Sequence, residues 1–331
     1  MKIFLTLDYE LFFGNKSGTL ANCILRPSEL VLSILNKYSV KATFFVDIGY
    51  ILKLKEFSRK FACLQSDYDL ILQQVDSIQA EGHDLQAHIH PHWENSFFNG
   101  EKWIIDTSKY RLHDFSPVQI KEIFSKYITV LNEIRKSGRA VAFRAGGWCI
   151  QPFKDLREAF SENKLKVDST LFFGGFNKSK THYFDFTKMP EKDFWNFEDD
   201  PLVEVEEGCF RELPISSIRL SPVFFWRMAF SKLFGGENHR SFGDGSAAGG
   251  SVWDKMRMLT QSSYSVVSID GYKSSFLQKA FDSHLAKGFK FFVIIGHPKS
   301  MSKFSLLNLD KFLENNIAHT FSTFQNEFGQ K

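Results

Sequence analysis

Four of the chain's ten histidines, His83, His88, His90 and His92, lie within ten residues. Neutral imidazole is the commonest side-chain metal ligand and binds near neutral pH with little competition from protons. Pro91 disfavours the α conformation at the residue before it, so His88 and His92 do not share one continuous helix. The expected arrangement is a strand ending near His88 and a bent loop that brings His92 back beside it. His83 reads as a structural residue inside the strand, and His90 as secondary to the other two. A single strand histidine is ordinarily a hydrogen-bonded core residue; four together next to a proline point to a metal. Asp8 and Glu10 end the apolar run from Ile3 to Leu7, and side chains two apart on a strand face the same way. They could be a plain polar strand end, but with the histidines they read as acid groups of one site.

The elements that must position these residues follow a regular alternation. Ile3–Leu7, Ala42–Val46, the histidine segment, Ala140–Phe143, Leu165–Val167, Tyr264–Ile269 and Phe289–Ile295 are short apolar runs. Such runs fit strands of a parallel sheet buried on both faces. Helical spacing covers 28–38, 69–80, 155–162 and 274–287, and Ser116–Pro117 opens a long helix that ends by Gly138. This order predicts an α/β fold, a distorted (β/α) barrel of about seven parallel strands. One domain spans 1–331, with an insertion at about 171–263 that includes antiparallel ribbon over 171–208 and a Gly-rich stretch over 235–250. Asp8, Glu10, His88, Arg144, Asp168 and His297 all fall at strand C-termini, the face that carries the active site in such barrels.

Composition narrows the class further. The chain of 331 residues is 43% hydrophobic and 16% aromatic, enough for one large core. A formal net charge of +3 without a dense basic run gives no sign of a nucleic-acid partner. Cys23, Cys63, Cys149 and Cys209 are widely spaced, which fits reduced thiols in the cytoplasm better than a disulfide framework. The apolar run at the N-terminus is too short for a signal peptide or membrane span, so the expected location is cytoplasmic.

Several motifs together resemble a known family. Asp8 after Leu-Thr-Leu, Gly82-His83 followed by His88-xxx-His92, Phe-Arg144-Ala-Gly-Gly, Asp168-Ser-Thr and His297-Pro298 are similar to the motifs of the polysaccharide deacetylases, carbohydrate esterase family 4. They occur in that family's order from residue 3 to about 298. The resemblance is narrower to cytoplasmic proteins of surface-polysaccharide gene clusters. It implies one divalent metal, zinc foremost, with cobalt, nickel, iron or manganese as alternatives. It also implies hydrolysis of an N-acetyl or N-formyl group on an amino sugar in polysaccharide or glycolipid biosynthesis. By position, His88 and His92 bind the metal, Asp8 is the base, Arg144 orients Asp8, His297 is the acid and Asp168 orients His297. Asp168 reads nearly as well as a turn or cap residue. The family has two adjacent aspartates where this chain has Asp8-Tyr9-Glu10, so either Glu10 replaces the second as ligand, the preferred reading, or Asp8 binds metal and Glu10 is the base.

These residues suit amide hydrolysis on chemical grounds alone. A metal with three protein ligands and an open position lowers the pKa of its water to about 7. A carboxylate and a histidine on opposite sides then move the protons, each contributing roughly a hundred- to ten-thousand-fold. Backbone N–H groups of Ala145, Gly146 and Gly147 are candidate oxyanion donors, and Trp93 and Trp148 are candidate stacking partners for a carbohydrate substrate. Rival readings are a small-amide or cyclic-imide hydrolase and a silent carbohydrate-binding protein. Pro222–Phe234 reads either as a helix buried between barrel and insertion or as an aromatic-basic surface in peripheral contact with the inner membrane face.

Overall fold

The computed structural model describes residues 1–179, 181–247 and 252–329. Positions 248–250 of the Gly-rich stretch lie outside them. Strand β1 (Lys2–Tyr9) is buried along nearly its whole length, which its unbroken apolar composition requires. It pairs with β2 (Thr43–Asp47), which pairs with β3 (Asp84–Ile89), then β4 (Ala142–Ala145) and β5 (Val167–Asp168), all in parallel. On the other side β1 pairs in parallel with β8 (Phe291–Gly296) along six residues. Beyond β5 the sheet continues through β7 (Phe210–Glu212) to β6 (Trp195–Phe197), the one antiparallel neighbour. The resulting order is β6-β7-β5-β4-β3-β2-β1-β8.

The sheet curls toward closure. Ser216 N–H donates to Val293 O, Val267 N–H to Ser216 O and Ile295 N–H to Val267 O. These bonds carry the chain after β7 and the segment ending at Ile269 across to β8. The parallel barrel expected from the sequence is therefore present, distorted on this side. The insertion expected after β5 does hold antiparallel ribbons, Phe176–Lys178 with Tyr183–Asp185 and Ser217–Leu220 with Ser263–Val266. It also contributes β6, which extends the main sheet.

Helices α1 (Arg26–Lys37), α2 (Ile48–Ser58), α3 (Ala62–Ala80), α4 (Pro117–Ile134) and α5 (Arg157–Glu162) cross over between the first strands. Ser116 caps α4, its hydroxyl accepting from Gln119 N–H while the Gln119 side chain returns to Ser116 N–H. That helix stops at Ile134, short of Gly138, where Arg135 turns back to pair with buried Asp84 at 3.0 Å. Helix α2 has no counterpart among the expected elements; its apolar residues are spread around the axis and Ile48, Tyr50, Ile51 and Leu54 are buried. Helix α6 (Pro222–Phe234) follows the second ribbon, and α7 (Leu277–Ala286) leads to β8. Among the described residues no helix is long and apolar enough to cross a membrane.

Candidate metal and catalytic site

Five of the polar residues at the strand C-termini, Asp8, Glu10, His88, Arg144 and His297, converge in one cleft of about 260 Å³. Asp8 lies at the end of β1, with Glu10 one residue beyond it. The chain stays extended past the end of β3, with φ −108° and ψ 96° at His90, before Pro91 starts a tight turn over Pro91–Glu94. His88 and His90 are therefore two apart on one extended segment and share a face. Their Nε2 atoms lie 3.0 Å apart, and Glu10 Oε2 sits 3.3 Å from His88 Nε2 and in contact with His90 Nε2. Glu10, His88 and His90 form the one group among the described residues whose donor atoms could together hold a metal ion.

His92 does not join this group. The turn at Pro91 carries it away, and its ring packs against Phe13 at 5.0 Å and parallel to Tyr110 at 6.1 Å. Its Nδ1 is buried without a partner, and burial followed by nearby His90 holds its pKa well below the ordinary value. The returning loop expected from the His-xxx-His spacing is replaced by a strand that does not bend until after His90. His83 is structural, as expected, with its Nδ1 accepting from Ala42 N–H.

Charge is balanced closely around the carboxylates. His88 Nδ1 donates to Arg144 O at 2.8 Å, which directs Nε2 at the cluster. Burial disfavours a proton on His88, but Asp8 and Glu10 outweigh it and raise its pKa to about 9. Burial would likewise raise Glu10, yet Lys299, His90 and His88 override that and hold it well below the usual carboxylate range. Three electron-pair donors thus meet at one point with the second oxygen of Glu10 tied to Lys299 at 2.8 Å. Such a two-nitrogen, one-oxygen set fits a divalent metal of the zinc class, because a proton or cation must lie among the donors.

Asp8 points its Oδ1 at Arg144 Nη1, 2.6 Å away, and its Oδ2 toward His297 Nε2 at 3.5 Å. Arg144 is almost fully buried and also reaches Thr6 and the Ser169 carbonyl. His297 is oriented by Asp270: Nδ1 meets Asp270 Oδ2 at 2.7 Å and the backbone N–H donates to Oδ1 at 2.7 Å. Burial lowers the His297 pKa, but Asp270, and then Asp8 and Glu10, reverse this and leave it raised.

Asp168 does not reach His297. It accepts from the Thr170 hydroxyl at 2.6 Å, beside the buried Glu212 that faces it across β5 and β7. Burial raises Asp168 to about 6, and burial together with the neighbouring Asp168 raises Glu212 well above its ordinary value. Thr170 in turn accepts from Ala145 N–H at 2.9 Å, so that donor is not free for an oxyanion. Gly146 lies directly against His90; a Cβ there would approach its Nδ1 to 2.6 Å. Gly147 and Trp148 line the cleft with Phe12, Phe13 and Tyr110. Trp148 holds φ +60°, costly for so bulky a residue, at the cleft wall. Trp93 is elsewhere, buried and donating from Nε1 to Asp47 at 2.6 Å, so it cannot stack on a sugar in this structure.

No family model and no curated protein matches the sequence. Among solved structures, a Mycobacterium smegmatis protein assigned as a polysaccharide deacetylase aligns with TM-score 0.50 and 17% identity, over 96% of this chain and 84% of its own. Puue allantoinase aligns with TM-score 0.51 and 11% identity, over 100% of this chain and 92% of its own. The fold is that of the polysaccharide deacetylases. Within this deacetylase fold, sequence reasoning passed over Lys299 and Asp270. Asp270 immediately follows the apolar run that ends at Ile269, the same position that singled out Asp8 and His297. Lys299 stands two residues after His297 and had no comparable signal.

Proposed function

We propose that the chain is a metal-dependent hydrolase that removes an N-acetyl or N-formyl group from an amino sugar. The observation that supports it best is the convergence of Glu10, His88 and His90 on one point, with Asp8 and His297 beside them in an aromatic-walled cleft. A divalent cation held by those three would supply a Lewis acid and an acidified water. Asp8 is the base in this reading: Arg144 fixes one oxygen and leaves the other facing the cleft. His297 is the acid, its Nδ1 engaged by Asp270 and its raised pKa favouring a proton on Nε2 for the departing amine. Lys299 keeps Glu10 charged and oriented. Trp148 and Tyr110 provide apolar walls suited to a sugar ring.

The setting that fits is polysaccharide or glycolipid assembly in the cytoplasm, a reading supported by four unpaired cysteines. The test is acetate or formate release from N-acylated amino sugars, free, polymeric or carrier-linked, before and after chelation and with added zinc. Chelator-sensitive release supports the proposal. Turnover of small amides or cyclic imides alone would replace the sugar, and metal binding with no turnover would make the chain a carbohydrate-binding protein.

A further inference from the structure

Helix α6 buries Phe224 and Phe225 against Leu220 on one side and leaves most of the other exposed, with Trp226 Nε1 there donating to Leu259 O of the neighbouring helix. Val223, Trp226, Phe230, Leu233 and Phe234 are all exposed, the last two at 76% each. At 3.6 residues per turn these five positions fall within one stripe about 100° wide. The helix has no acidic residue, and Arg227 and Lys232 on it are exposed. Arg219 on the strand leading into α6 and Arg257 on the helix packed against it are exposed as well.

The geometry points to α6 as a docking surface for an anionic lipid bilayer. An aromatic-aliphatic stripe with Arg227 at its edge and no acid on the helix matches the interfacial region, where apolar side chains insert and cations meet lipid phosphate. A second copy of the chain is a poorer match, since two such faces would oppose cation to cation with no acid on either helix. The surface also communicates with the cleft. A groove of about 710 Å³ runs from Met228, Lys232 and Leu233 of α6 to Asp270 and Ser300, which also line the catalytic cleft. Leu233 belongs to both groove and stripe, so the groove borders the docked face. Resting on the hydrolase reading above, this indicates an amino sugar presented on a lipid rather than one free in solution.

The experiment is co-sedimentation of the full chain with phosphatidylcholine vesicles, with and without phosphatidylglycerol. The expected result is pelleting with the anionic vesicles and weakening with added salt. Phe230→Ser with Phe234→Ser should reduce partitioning by about ten-fold or more, because both rings are lost from the inserted stripe. A chain that stays in the supernatant with both vesicles, or a double variant that pellets like the wild type, overturns the inference. Sedimentation velocity on the same samples provides a further check: a dimer abolished by the double substitution would assign the face to self-association and also overturn it. Vesicle binding is read without turnover, so its failure and failure of the hydrolase reading are separate results.

Discussion

Exchanging the fates of His90 and His92 tests the site most directly. His90→Ala removes one of three converging donors, whereas His92→Phe replaces a ring already stacked among Phe13, Trp93 and Tyr110. Structural zinc sites with four ligands bind with about 10–16 kcal/mol, so each ligand accounts for roughly 2.5–4 kcal/mol. Loss of His90 should therefore weaken metal binding by about a hundred- to a thousand-fold. His92→Phe removes a buried nitrogen without a partner and should leave affinity within a few-fold, with stability unchanged or improved. Competition against a chromophoric chelator measures both affinities, and thermal melting measures the fold. Unchanged affinity in His90→Ala together with loss in His92→Phe would refute the assignment and restore the His-xxx-His pair.

Further expectations concern the proton-handling groups. Asp8→Asn should retain metal but lower kcat by about a hundred-fold or more, while Glu10→Gln should chiefly weaken metal affinity, as metal analysis beside turnover will show; the reverse pattern would exchange their roles. His297→Ala should lower kcat by a similar factor at full metal content. Asp270→Asn removes a carboxylate that raises the His297 pKa, so the basic limb of the kcat profile should move to lower pH; an unmoved limb would separate Asp270 from His297. Burial lowers His83 to about 4, below its unfolded value of about 6.5, so the unfolded chain binds the extra proton. Stability should be present above pH 6.5 and fall by about 3 kcal/mol as pH drops toward 4, and denaturant melts of His83→Gln should lose much of this dependence.

The parallel sheet was readable because strands buried on both faces must be apolar throughout, as β1 and β8 are. The same logic marked Asp8, His88, Arg144 and His297, each a polar residue breaking such a run, and it applied equally to Asp270. What spacing could not resolve was where the histidine strand bends. Pro91 correctly excludes a helix, but the chain can turn before or after His90, and only packing of Gly146 against that ring distinguishes the two. Lys299 was hidden for another reason: its contact with Glu10 joins chain segments 289 residues apart. Helix α2 escaped because a helix covered on several sides lacks the narrow apolar stripe that signals one.

The pairing of Lys299 with Glu10 and Arg144 with Asp8 has a consequence for product release. Two carboxylates are matched by two cations, and a metal would displace the proton that His88 otherwise holds, so a divalent ion would leave the cage doubly positive. Anions are drawn to such a cage, hydroxide among them, which favours the attacking species. Under the proposed hydrolysis the carboxylic acid set free is an anion too, and its departure has to work against the same field. Acetate should accordingly inhibit competitively, and Lys299→Met, which removes one positive charge, should relieve that inhibition.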